Sequence, residues 1–205
     1  ESAKGFAQQL EKLLPKPSAA ALDSLNQYSY PFGVPMLRQT LAKYYAEFYP
    51  EIAADAEANL TVCLGATEGF AICLRAICVP GDAVAFFQPF HELYPSQCTI
   101  WGLEPRAVTL LQESDGTWGF SDKELDAALS GARCLLFNSP HNPTGKVFSR
   151  AELDRIKAAC VRHDVLVITD EIYEHMCFDG HTHTSLAQLP GMGDRTLVVN
   201  ALSKT

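Results

Sequence analysis

Short apolar runs alternate with amphipathic segments along most of this 205-residue chain. The apolar runs are continuous rather than alternating, which is typical of strands buried on both faces of a parallel sheet. Helical segments between such strands would cover both faces of that sheet. The pattern therefore predicts an α/β fold, a three-layer α/β/α sandwich with a mostly parallel sheet. The predicted strands are residues 59–64, 83–87, 106–111, 133–138, 165–170 and 195–202.

Serine and glutamate at capping-box spacing predict the starts of two helices, at Ser121 with Glu124 and at Ser149 with Glu152. The second helix is amphipathic. We expect its buried stripe to contain Leu153, Ile156, Cys160 and Val161. The other helical segments are residues 35–50, residues 67–79 and a short helix within residues 91–102 that Pro95 should interrupt.

Composition excludes several classes of partner. The chain is 47% hydrophobic and 20% charged with a formal charge of −8, and it has no basic stripe, so we expect neither a nucleic acid nor a membrane partner. No apolar stretch is long enough to span a bilayer, and the first residues lack a signal-peptide pattern. Seven scattered cysteines without a Cys-x-x-Cys pair predict free thiols, no metal site, and a cytoplasmic or organelle-stroma location.

Open parallel sheets bind ligands at the carboxyl ends of their strands, so residues that follow the strands are the candidates for a site. After the first strand, a glycine turn and a helix start would present the Ala66 N–H and the Thr67 hydroxyl to an anion. After the second strand, Phe90, His91 and Tyr94 offer rings that could stack on a flat ligand. An ordinary capped helix and a packed aromatic cluster are the alternatives.

Polar groups also follow the later strands. Asn142 lies in a stiff loop, "NSPHNPTGK", in which Pro143 is a candidate for a cis peptide bond. Asp170 ends an apolar run, so its carboxylate should be buried and need a partner, and Tyr173 follows it closely. Lys204 follows the last strand with an amine suited to Schiff-base chemistry. The alternatives are a turn, a helix cap and a solvent-exposed lysine.

The set of groups is more informative than any one of them. An anion cradle, a ring, a polar loop, a carboxylate, a phenol and an amine at one sheet edge match the parts of pyridoxal phosphate. The motifs "NQYSYPFGVPMLR", "GATEG", "NSPHNPTGKVFS", "DEIYEH" and "ALSKT" also resemble, in order, those of the fold-type-I pyridoxal-phosphate enzymes of aminotransferase class I and II. Within that class the resemblance is to the aspartate, aromatic and kynurenine aminotransferase group.

The resemblance implies a role for each matching residue. Lys204 would form the Schiff base with the cofactor and move the substrate α-proton, with assistance from Ser203, and Asp170 would pair with the pyridinium nitrogen. The remaining roles are phosphate binding by Ala66 and Thr67, hydrogen bonds to the phenolic oxygen from Asn142 and Tyr173, ring stacking by His91, and a contact from Tyr28 to the phosphate of the partner subunit in a homodimer.

The resemblance also implies a domain division and shows two departures. Residues 1–34 would form an N-terminal segment of the small domain or interdomain region, and residues 35–205 the cofactor-binding large domain, incomplete at its C-terminal end. His91 stands where the family usually has Phe, Tyr or Trp. Members of the family carry more chain on both sides, including the arginine that binds the substrate carboxylate, so we expect this chain to be part of a longer protein.

We therefore predict an aminotransferase that moves an amino group from an L-amino acid to a 2-oxo acid. The alternatives are a pyridoxal-phosphate lyase acting as a carbon–sulfur β-lyase or like aminocyclopropane-carboxylate synthase, a non-catalytic domain that senses pyridoxal phosphate, and an inert fragment. His181 and His183 resemble a metal pair in spacing, but we expect them to lie in a solvated loop.

Overall fold

The computed structural model describes residues 28–204, and within them it contains one six-stranded sheet. The strand order is β3-β2-β1-β4-β5-β6, and every neighbouring pair is parallel except β2 and β3. The strands are β1 (Ala83–Gln88), β2 (Glu104–Gln112), β3 (Trp118–Phe120), β4 (Ala132–Asn138), β5 (Leu166–Asp170) and β6 (Thr196–Val199).

Helices cover both faces of the sheet. The α-helices are α1 (Pro35–Phe48), α2 (Gly65–Ile77), α3 (Leu93–Trp101), α4 (Asp122–Leu129) and α5 (Arg150–Arg162), and two short 3₁₀ helices span Leu186–Gln188 and Gly193–Arg195. Side chains alternate along β1: Ala85 and Phe87 pack with α4 and α5, whereas Val84 and Phe86 pack with α2 and α3. The predicted three-layer α/β/α sandwich is confirmed.

Two predicted strands need correction. Residues 59–64 form no strand, because the Val62 N–H donates to the carbonyl of Phe32 at 2.9 Å instead of to a sheet neighbour. The last strand is shorter than predicted and ends at Val199, where the Asn200 side chain turns back and accepts the Ala201 N–H at 2.8 Å. The three-residue strand β3 carried no recognisable apolar run.

The helix predictions hold with three corrections. Ser149 and Glu152 form the complete capping box of α5, whereas Ser121 caps α4 alone because Glu124 instead accepts the Thr109 N–H of β2 at 2.9 Å. Pro95 does not interrupt α3, since it lies in the first turn, where helix N–H groups have no helical partner. Val161 is 48% exposed rather than buried with the rest of the α5 stripe.

Within the described residues, no helix is long and apolar enough to cross a membrane.

Candidate functional site

The carboxyl ends of the central strands lie side by side and place their following loops at one edge of the sheet. In the parallel register, Asn138 at the end of β4 pairs with Asp170 at the end of β5, and Asp170 pairs with Val199 at the end of β6. The residues that follow β4 and β5 are also hydrogen-bonded across this edge. The Ser139 N–H donates to the Asp170 carbonyl, and the Glu171 N–H donates to the Val199 carbonyl. Three candidate segments therefore start from a single rigid platform.

Asp170 is the buried carboxylate of this edge, as predicted, with 7% of its surface exposed. Its Oδ2 accepts a 2.6 Å hydrogen bond from the Tyr94 hydroxyl, whereas its Oδ1 has only a long 3.4 Å contact with the Ile172 N–H. Burial raises the pKa of the Asp170 carboxyl, and the Tyr94 hydrogen bond acts in the opposite direction. The chain after Asp170 forms a turn rather than the helix that sequence considerations allowed.

His91 and Tyr173 lie near Tyr94, the hydrogen-bond partner of this carboxylate. The His91 and Tyr94 rings have centroids 6.0 Å apart, and Tyr173 is close enough to contribute to raising the pKa of the Tyr94 phenol, after burial and Asp170. His91 is exposed and can offer its ring face to a ligand, whereas Tyr94 is buried. The structure therefore separates two rings that the sequence placed in one aromatic group.

Asn138 organises the loop that contains Asn142, a role that sequence considerations missed. Its buried side chain donates to the carbonyls of Pro140 and Asp170, both at 3.0 Å, and accepts the Asn142 N–H at 2.6 Å. The Asn142–Pro143 peptide bond is cis, as are the bonds before Pro140 and Pro89. The signal was available in principle, because an asparagine that ends a buried strand needs several hydrogen-bond partners.

The far side of the same loop is held by buried polar groups. His141 is 3% exposed, and its Nδ1 lies 2.8 Å from the Thr144 hydroxyl. Lys146 Nζ forms a 2.7 Å ion pair with Glu152 of α5 and also donates to the Trp118 carbonyl. Burial, with a smaller contribution from Lys146, lowers the pKa of His141 to about 4. The imidazole is therefore neutral in the folded protein at neutral pH.

The start of α2 lies beside the end of β6. A methyl group on Gly69 would come within 3.1 Å of Val199 Cγ1, so the absence of a side chain allows this close approach. Ala66 and Thr67 occupy the first turn, where backbone N–H groups have no helical acceptor, and Thr67 is exposed. The Glu68 carboxylate of the same turn accepts the Leu64 N–H.

Three predicted residues are exposed, in contrast to the buried group. Ser203 and Lys204 are exposed beyond the turn that follows β6, and within residues 28–204 no hydrogen bond joins them to the other candidates. Lys204 is therefore not at a dry strand end, because β6 stops five residues earlier. Tyr28 is fully exposed at the beginning of the described chain.

A second group of buried carboxylates follows Asp170 in the chain, and the sequence did not indicate it. Glu171, Glu174 and His183 place ligand-type atoms within 4.8 Å of one another. All four carboxylate oxygens already accept hydrogen bonds from protein side chains. His183 Nε2 donates to Glu171 Oε2 at 3.0 Å and the His183 side chain is 3% exposed, so the expectation of a solvated loop is wrong for His183. The other donors to the two glutamates are Tyr44, Tyr49, Thr169, Ser185 and Asn200.

Comparisons with known proteins agree with this arrangement. Residues 4–205 match the model of the family "Aminotransferase class I and II". The chain is 35% identical over 195 residues to kynurenine–oxoglutarate transaminase 3 of Mus musculus, with 91% of this chain and 43% of that protein covered. It is 37% identical over 190 residues to kynurenine–oxoglutarate transaminase 1 of Homo sapiens, with coverages of 88% and 45%.

The fold is similar to that of solved aminotransferases. N-succinyldiaminopimelate aminotransferase from Mycobacterium tuberculosis superposes with a TM-score of 0.83 at 32% identity, covering 90% of this chain and 48% of that one. The chain thus spans a little under half the length of the relatives it matches.

Replacement of Asn138 should loosen the site edge and the loop together. Asn138→Ala removes three hydrogen bonds and leaves the Pro140 carbonyl and the Asn142 N–H without this partner, so we expect the free energy of unfolding to fall by about 3 kcal/mol. The amide of Asn142 should also lose protection from hydrogen exchange. The matched control is Asn59→Ala, which removes two hydrogen bonds at an exposed position and should cost less than about 1 kcal/mol. Equal costs in urea unfolding would contradict the organising role of Asn138.

The low pKa of His141 predicts a specific pH dependence of stability. Because its folded-state pKa is about 4 and its ordinary value is 6.5, the unfolded chain takes up this proton first as the pH falls. His141 is then expected to cost stability progressively between pH 6.5 and pH 4, by at most about 3 kcal/mol. His141→Gln cannot titrate and should remove this part of the loss. Urea unfolding at several pH values, with exposed His181→Gln as the control, measures the difference.

Proposed function

Because the chain belongs to the class I and II aminotransferases, we propose that it is the cofactor-binding part of a pyridoxal-phosphate-dependent enzyme that transfers an amino group from an L-amino acid to a 2-oxo acid. The observation that carries this proposal is the buried Asp170 carboxylate, at the sheet edge shared by the start of α2 and the turn before Lys204. A buried carboxylate with one oxygen weakly occupied requires a cationic or N–H partner.

The donor set of this edge fits the cofactor. The Ala66 N–H and the Thr67 hydroxyl at the α2 start suit a phosphate, because the helix dipole and free N–H groups favour anions there. His91 offers an exposed ring for stacking, and Asn142 and Tyr173 offer donors for a phenolic oxygen. Lys204 offers an amine to the aldehyde, with Ser203 beside it.

When bound, the cofactor supplies an electron sink that stabilises negative charge at the substrate α-carbon. Asp170 would hold the proton on the ring nitrogen, since a carboxylate in a buried site favours a cationic neighbour. Asn142 and Tyr173 would donate to the phenolic oxygen and fix the ring in its plane. Lys204 Nζ would hold the aldehyde end of the cofactor and would carry the proton that leaves the substrate α-carbon.

The proposal extends to assembly and location. Tyr28 is fully exposed, which supports a contact with the phosphate of a partner subunit in a homodimer. All seven cysteines are free thiols, which supports a reducing compartment, the cytoplasm or an organelle stroma. We propose that residues 35–205 belong to the large domain and residues 1–34 to the N-terminal segment; residues 1–27 lie outside the described residues.

Lys204 should be the covalent attachment point. The complete protein incubated with pyridoxal phosphate should gain a visible absorption band, and borohydride reduction should fix the cofactor on Lys204, as located by peptide mass spectrometry. Lys204→Ala should lose both the band and the adduct. Lys157→Ala, which replaces a lysine of helix α5, is the control and should retain both. An adduct on another lysine in the wild-type protein would contradict the assignment.

Product analysis tests the reaction. With pyridoxal phosphate, an aromatic L-amino acid or kynurenine as donor and 2-oxoglutarate as acceptor, we expect equal amounts of the donor-derived keto acid and glutamate. Lys204→Ala should reduce this turnover by at least about a thousandfold, because the group that moves the α-proton is removed. Release of ammonia and pyruvate from cysteine-type substrates without an acceptor would instead support a lyase.

A further inference from the structure

We propose that Tyr94 is a positioning residue that orients the Asp170 carboxylate and keeps it ionised for the ring nitrogen of the cofactor. The inference rests on the proposed function and adds to it a residue that does not itself contact the cofactor.

The Tyr94 ring is held rigidly. It lies in the first turn of α3, is 2% exposed, and packs against Phe70 of α2 and Phe86 of β1 with centroid distances of 5.8 and 6.2 Å. Neighbours on two different elements therefore fix where its hydroxyl points. A donor fixed in this way loses little entropy when it makes its hydrogen bond.

The two carboxylate oxygens of Asp170 differ in their hydrogen bonds. Oδ2 accepts from Tyr94 at 2.6 Å, a length typical of an O–H donor to an ionised carboxylate. Oδ1 has only the 3.4 Å contact with the Ile172 N–H, which is close to the limit of a hydrogen bond. Tyr94 thus fixes the carboxylate by one oxygen and leaves the other as the acceptor for a ligand N–H.

Tyr94 is also the main group that favours ionisation of Asp170. No lysine or arginine forms an ion pair with Asp170 in the part of the chain that the structure describes. Burial raises the pKa of this carboxyl, and the Tyr94 hydroxyl provides the largest opposing contribution, ahead of the Ile172 N–H and His91. The pKa of the Tyr94 phenol itself is raised well above its ordinary value, so it stays protonated and remains a donor throughout the physiological range.

The test is Tyr94→Phe in the complete protein, which keeps the ring and removes only the hydroxyl. In the cofactor-free protein, carbon-13 NMR of labelled aspartate should show the Asp170 pKa rising by about one pH unit. In the loaded enzyme, kcat should fall about 10- to 100-fold, the effect of one hydrogen bond to a charged group, with KM nearly unchanged and the acidic limb of the pH profile shifted upward. Tyr49→Phe is the matched control, because it removes a buried hydroxyl bonded to Glu174 rather than to Asp170.

A double-mutant cycle separates positioning from general structural damage. In an Asp170→Asn background, adding Tyr94→Phe should cause less than about a twofold further loss of kcat, since the two residues act through one interaction. An unchanged Asp170 pKa in Tyr94→Phe, or a full additional loss in the Asp170→Asn background, would overturn the role of Tyr94. A wild-type protein that binds no pyridoxal phosphate would overturn the proposed function itself, and this is measured separately by the absorption band.

Discussion

The rest of the site depends on one charge that the fold buries, the carboxylate of Asp170. Removing a carboxylate from water costs several kcal/mol unless hydrogen bonds or an opposite charge compensate it. The protein supplies only part of that compensation, through the Tyr94 hydroxyl. Stability alone would favour a fully paired group or an apolar side chain here. An incompletely compensated carboxylate at the carboxyl end of a parallel strand is therefore a candidate ligand-binding group.

The parallel sheet explains how segments far apart in the chain begin at the same edge as this carboxylate. Each parallel strand delivers its following loop to the same edge, so β4 contributes Asn142 through Asn138, β5 contributes Asp170, and β6 leads to Lys204. Helix α2 completes the edge because Gly69 lets it approach Val199. Two interactions fix the polar loop after β4. Asn138 accepts the Asn142 N–H near the sheet, and Lys146 forms an ion pair with Glu152 of α5. The segments that follow β4, β5 and β6 thus begin at one edge of the sheet.

Much of this could be predicted from sequence because continuous apolar strands and capped helices are local signals. The central strands, the two serine caps and the burial of Asp170 follow from residues that neighbour one another in the chain. What could not be predicted depends on partners distant in sequence. Residues 59–64 have the pattern of a strand, yet the Val62 N–H donates to the Phe32 carbonyl. Glu124 has the spacing of a capping box, yet its carboxylate accepts the Thr109 N–H of β2. The pairing of Tyr94 with Asp170 spans 76 residues, and no local pattern indicates it.

The two groups of buried carboxylates at this edge show how structural and ligand-binding acids differ. Glu171 and Glu174 are as buried as Asp170, but every one of their oxygens accepts a hydrogen bond from a tyrosine, serine, threonine, histidine or asparagine. Their network connects α1, the turn after β5 and Asn200 at the end of β6, and so it braces the segment that leads to Lys204. Asp170, one residue away, keeps Oδ1 almost free. Because all three acids are buried, the difference in hydrogen-bond satisfaction, rather than burial itself, distinguishes Asp170 from Glu171 and Glu174.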